Sequence, residues 1–135
     1  MKLLALALLL AALTISGSIY HVPHPVRIKP VPASLPLRLF WGIANTESEF
    51  NPLAIGPDGH DRGLWQFRDK YDAERGIVNP FDAIESTRHA VTLFEGNLAA
   101  LGDIELAITA HRRGRTWARE NGVDRGYVER VRAWR

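Results

Sequence analysis

Ile84, Thr87, Val91, Phe94, Leu98 and Leu101 recur at alternating steps of three and four, a spacing that places side chains on one face of an α-helix. The segment is bounded at both ends. Asp82-Ala83-Ile84-Glu85 is a capping-box pattern at its start, and Gly102 suits the left-handed turn that closes a helix. In a chain of 135 residues, too short for two separate cores, such a helix is expected to be the centre of a single domain.

Shorter helical patterns flank it. Leu37, Phe40, Ala44 and Glu47 follow a 3-4-3 stride that Asn51-Pro52 ends; Ser34 is the expected N-cap, and Pro36 falls near the first turn. Asp103 opens a helix with Ile104, Ala107, Ile108 and His111 on one face, and a last helix from about Asp124 aligns Tyr127, Val128, Val131 and Trp134. Residues 53 to 70 are rich in Gly and polar residues, with a turn signal at Pro57-Asp58-Gly59. Within them Leu64-Trp65-Gln66-Phe67 fits either a strand or one helical turn. No alternating-strand or βαβ pattern occurs. The expected fold class is mainly α, with a short irregular or hairpin-bearing insert directly after the Glu47 helix.

The N-terminus has a different character. Met1-Lys2 precedes the apolar run Leu3 to Leu13 and the small or polar residues Thr14 to Ser18, the layout of a secretory signal peptide. Residues 1–18 are thus expected to be a cleaved signal peptide or a retained membrane anchor. Residues 19–34, with Pro23, Pro25, Pro30 and Pro32, read as an extended linker, and the folded domain is expected over 35–135. The chain has no cysteine, which excludes a disulfide framework, a thiol nucleophile and a lipid on an N-terminal Cys. Its five histidines show no metal-ligand spacing, and no cofactor or metal is expected. The formal net charge of +2 is unevenly spread: eight arginines lie between His111 and Arg135 against Glu120, Asp124 and Glu129. That tail suits an anionic partner or, equally, solvated helix faces.

Glu47 is the anomaly in the pattern, a carboxylate in line with three apolar residues. Burial of its charged form costs free energy, and a carboxyl group kept protonated is what a general acid for glycosidic cleavage needs. A glutamate at a helix end that points to water fits the same pattern. A two-carboxylate glycosidase would need a partner, for which Asp58, Asp61 and Asp69 are candidates. For Asp61, between His60 and Arg62, a salt bridge or a turn role is the more common explanation.

A series of short blocks then resembles one family, the soluble lytic transglycosylase (SLT) domain. Glu47-Ser48-Glu49-Phe50-Asn51-Pro52 fits its E-S-x-F-N-P signature, and Gly63-Leu64-Trp65-Gln66 resembles its G-L-M-Q. Asn79-Pro80-Phe81-Asp82 resembles D-P-F-D, Leu101-Gly102-Asp103-Ile104-Glu105-Leu106-Ala107 resembles F-G-D-x-x-L-A, and Tyr127-Val128-Glu129-Arg130-Val131 resembles Y-V-x-x-V. The resemblance implies a lysozyme-like fold and a lytic transglycosylase acting on peptidoglycan strands, with one catalytic residue, Glu47. It implies Ser48, Gln66 and Tyr127 as substrate-binding positions; His111, standing where the family has Tyr, suits either a bond to sugar or Glu47 or a packed core histidine. Together with the signal-peptide pattern, which implies export and removes the chain from nucleic acid, the expected protein is a periplasmic or envelope-bound monomer, working alone or beside a secretion or assembly machine.

Three departures stand out. The family's A-Y-N-A-G is here Ala110-His111-Arg112-Arg113-Gly114, Gly56 stands where many members carry Ser, and three residues separate Gly59 from Gly63 where a common form has two. Asp61-Arg62-Gly63-Leu64-Trp65-Gln66 also resembles the D-Y-G-I-x-Q of c-type lysozymes, which implies a rival hydrolase using Glu47 with Asp61. A wall-binding protein that has lost catalysis is the third reading.

Overall fold

The computed structural model describes residues 36–135. The signal or anchor segment, the Pro-rich linker and the Ser34 cap lie outside the described residues. The order of elements is α1 (Leu37–Ser48), β1 (Asp61–Arg62), β2 (Phe67–Arg68), a 3-10 turn (Asp69–Tyr71), α2 (Asp72–Arg75), α3 (Ala83–Leu101), α4 (Ile104–Arg113), α5 (Arg115–Asn121) and α6 (Arg125–Ala133). The domain is mainly helical, as a lysozyme-like fold requires, with one two-stranded ribbon.

Helix α3 is the long helix of the central stride. Asp82 caps it, accepting from the N–H groups of Ile84 and Glu85, and Gly102 ends it at φ 68° by returning its N–H to Leu98. Two details differ from expectation. Glu85 does not reach back to Asp82; its carboxylate accepts from the N–H groups of Val78 at 2.7 Å and Asn79 at 3.1 Å, because that turn folds over the helix start. The fully buried ridge is Ser86, Ala90, Phe94 and Asn97, so the helix is rotated relative to the stride and Val91 and Leu98 flank its contact face. Thr87 remains near the core because its hydroxyl accepts from the Trp65 indole at 3.0 Å.

Around this helix the core is built from Phe40, Ile43 and Ala44 of α1, Ala107 and Ile108 of α4, and Tyr127, Val128 and Val131 of α6. Trp65, wholly buried, seals the insert against it, with its ring 4.4 Å from Phe40. Burying apolar side chains of this size contributes roughly 1.5–3 kcal/mol each, so the ring cluster anchors the insert to α1.

Helices α1 and α6 touch at their backbones. A Cβ on Gly42 would lie 2.4 Å from the Val131 carbonyl oxygen, so only glycine permits this approach. A second contact, Glu47 with Tyr127, lies further along α1 and earlier along α6. The two helices therefore run antiparallel, and the close approach at Gly42 brings the start of α6 to the end of α1.

The insert resolves the choice left open at Leu64-Trp65-Gln66-Phe67. Leu64 to Gln66 form a turn and Phe67 begins β2, which pairs antiparallel with β1 in the register Asp61 to Arg68. Helix α5 has no counterpart in the sequence reading. It is seven residues long between Gly114 and Gly122 and buries only Ala118, too little for a period to emerge. Among the described residues no helix is long and apolar enough to cross a membrane.

Candidate active site

Glu47 occupies the last full turn of α1 and is half-buried. The chain stops being helical just after it, with Glu49 and Phe50 both left-handed at φ 52° and 62°. Its carboxylate Oε1 accepts a hydrogen bond from the hydroxyl of Tyr127, which is 1% exposed. Burial pushes the phenol well above its usual pKa, and the adjacent Glu47 carboxylate adds to this. The phenol therefore keeps its proton and acts as a donor.

Tyr127 is itself held from two helices. Asp124 caps α6 by accepting from the Tyr127 N–H at 3.1 Å. The Asp124 N–H donates to the Thr109 hydroxyl of α4 at 3.0 Å, and its carboxylate pairs with Arg113 at 3.1 Å. The Tyr127 N–H, followed by the Arg113 guanidinium, holds the Asp124 carboxyl below the usual range. A chain of contacts thus runs from the core of α4 through the cap of α6 to the acid on α1. Arg112 and Arg130 both lie over the Tyr127 ring, with guanidinium carbons 5.3 and 5.7 Å from its centre.

The other residues expected at the site serve different parts of it. The Ser48 hydroxyl lies 2.7 Å from the Leu64 carbonyl and 3.1 Å from that of Ala44, tying the end of α1 to the insert. The Gln66 amide donates to the carbonyls of Gly63 at 2.9 Å and Ala54 at 3.2 Å, closing the insert loop. At Gly56 a Cβ would stand 3.1 Å from the Asp61 Cβ and 3.2 Å from Gln66 Oε1, so this glycine leaves the two side chains space.

His111 stands in the last turn of α4, its Nε2 3.0 Å from the Trp65 carbonyl oxygen and its ring beside Trp65 and Phe67. Burial lowers its pKa, against the opposing pull of the Glu47 charge. A carbonyl can only accept, so Nε2 carries the proton of a neutral ring and Nδ1 keeps a lone pair. Asp61 belongs to another group. Its oxygens accept from Arg68 at 3.1 and 3.3 Å, and the same guanidinium reaches Asp58 at 2.6 Å. No hydrogen bond or ion pair joins Asp61 to Glu47 among the described residues.

Asp124, Thr109, Arg112 and Arg130 are absent from the residues picked out by sequence. Asp124 stands three residues before Tyr127, the offset of a side-chain cap, and was legible in principle. Arg112 was visible as a departure from the family's A-Y-N-A-G block and Arg130 as an unspecified position of Y-V-x-x-V, but nothing in the sequence brings them to one ring.

Tyr127→Phe keeps the ring and removes only the donor to Glu47. A hydrogen bond to a charged group contributes about 1.5–3 kcal/mol, so glycan cleavage is expected to fall at least about tenfold. Turnover on purified sacculi, compared with thermal melting, checks this; a variant as active as the parent would remove Tyr127 from the site.

The family model described as the Transglycosylase SLT domain matches residues 31–127. Comparisons with curated proteins and with solved structures find no match.

Proposed function

Since this chain belongs to the transglycosylase SLT domain family, we propose that it is a lytic transglycosylase cleaving the β-1,4 bond from N-acetylmuramic acid to N-acetylglucosamine in peptidoglycan. The single observation that carries the reading is the Tyr127–Glu47 hydrogen bond, which holds one carboxylate at the junction of α1 and α6. In the first step the Glu47 carboxyl gives its proton to the glycosidic oxygen as the C1–O bond breaks, and the N-acetylglucosamine 4-hydroxyl leaves. The muramoyl acetamido oxygen supports C1, so no protein nucleophile is required. In the second step the Glu47 carboxylate takes the proton of the muramoyl 6-hydroxyl as O6 bonds to C1. The product is a 1,6-anhydro end, no water is consumed, and Glu47 is again protonated.

Ser48 ties the insert to the end of α1 and Gln66 closes its loop, and the His111 Nδ1 lone pair is suited to accept from a sugar hydroxyl. The rival hydrolysis would use Asp61, which accepts from Arg68 on both oxygens, as the second carboxylate, and the reaction products decide between the two. The Lys2 and Leu3 to Leu13 pattern supports export, and the proposed activity is accordingly one of the cell envelope. Mass spectrometry of the soluble products from sacculi tests the proposal. Anhydro-muramoyl ends are expected; reducing ends would instead assign the hydrolase, and sacculus binding without release would assign a wall-binding protein.

A further inference from the structure

Arginines 112 and 130 come from different helices, α4 and α6, and converge on one ring. Both are solvent-exposed. Arg62, Arg68, Arg113 and Arg132 each pair with a carboxylate, whereas neither Arg112 nor Arg130 has one within 4.0 Å among the described residues. The ring they share carries the hydroxyl bonded to Glu47, so the two cations stand one tyrosine away from the reacting carboxylate. Stacking on a π face holds each guanidinium in place and leaves its N–H donors free. Arg112 stands where the family's A-Y-N-A-G block has Asn, and Arg130 fills an unspecified position of Y-V-x-x-V, so neither belongs to the shared motif. Arg130 also lines an open depression between α1 and α6 with Asn45, Thr46, Glu49 and Ala133. The Glu49 carboxylate there limits how deep an anion can sit.

Guanidinium N–H groups can donate to neutral sugar oxygens, but their charge favours a carboxylate. In peptidoglycan the negative charge is carried by carboxylates on the lactyl arm of the muramoyl residue, either the lactyl acid itself or acids of the attached peptide. We propose that Arg112 and Arg130 form a carboxylate subsite beside Glu47 that recognises an acid borne on the muramoyl lactyl arm. The inference rests on the peptidoglycan-cleaving reading and goes beyond it in naming what the enzyme selects along a strand. Each planar guanidinium fits a carboxylate by charge-assisted hydrogen bonds, and at an exposed site the combined effect of the two is about tenfold.

The test compares strands with native carboxylates against strands whose carboxylates have been converted to amides, which keeps their length and sugars. The parent protein is expected to cleave native strands about tenfold faster than amidated ones. In the Arg112→Gln, Arg130→Gln double variant that ratio should fall to near one, whatever happens to the absolute rate. Repeating the comparison on strands stripped of peptide separates the sources: on intact strands the lactyl carboxyl is already an amide, so a preference there reads the peptide acids, and a preference on stripped strands reads the freed lactyl acid. A parent ratio near one on both kinds of strand, or a ratio unchanged in the double variant, overturns the subsite. If the parent cleaves no strand at all, the enzymatic reading fails instead. Co-sedimentation of the same strands then measures the same ratio in binding and still decides the subsite.

Discussion

Glu47→Gln is expected to lower release of soluble muropeptides from purified sacculi by about 10²–10⁴-fold, the range that general acid–base catalysis supplies. The loss should lie toward the upper end, because in the proposed mechanism one side chain serves as acid in the first step and base in the second. Glutamine is close in size, and its carbonyl oxygen still accepts from the Tyr127 hydroxyl, so the contact between α1 and α6 survives. A melting temperature close to the parent's should therefore accompany the loss. Undiminished turbidity clearing by the variant would show that the reacting carboxylate is elsewhere.

The second large effect concerns folding. Gly63 has φ 78°, and a Cβ placed on it would lie 2.0 Å from the Pro80 carbonyl oxygen. Its N–H donates to the Ala54 carbonyl at 2.8 Å, and its own carbonyl accepts from Gln66, so the residue cannot move independently of the insert. Gly63→Ala combines left-handed strain of about 1–2 kcal/mol with forced backbone displacement of about 1–3 kcal/mol. A total near 3 kcal/mol should lower the melting temperature by roughly 12–24 °C in a domain of this size. Gly59→Ala is the control. Gly59 has nearly the same φ, 79°, but nothing within 4 Å of the added carbon, so only the strain is incurred. Equal costs for the two variants would sink the argument from close packing. The effect also reaches the site, since Leu64, the next residue, presents the carbonyl that Ser48 bonds.

Both variants test features that could be named before any coordinates, though not with the same completeness. Glu47 stood out because a carboxylate interrupted an apolar stride, and the motif around it supplied the chemistry. Its partner Tyr127 was legible as a motif position, but the hydrogen bond between them spans 80 residues of sequence. On α3 the caps were legible because capping is a local event within four residues. The buried ridge was misread because burial depends on which neighbours arrive, and here small Ser86 and Ala90 face the packed side. Helix α5 escaped notice because a helix burying a single alanine leaves almost no periodic signal. Asp61, a candidate second carboxylate, was more simply a salt-bridge or turn residue, and Arg68 across the ribbon takes both its oxygens.

Local chemistry determined the helical class, the ends of the long helix and the position of the irregular insert, and singled out Glu47 as a candidate, because each depends on spacing within a few residues. Only the tertiary structure decided what surrounds that glutamate. Gly42 against Val131, Tyr127 on Glu47, and two arginines over one ring are contacts between helices far apart in sequence. They are set by how closely backbones can approach and where long side chains then find room, which no one-dimensional pattern records.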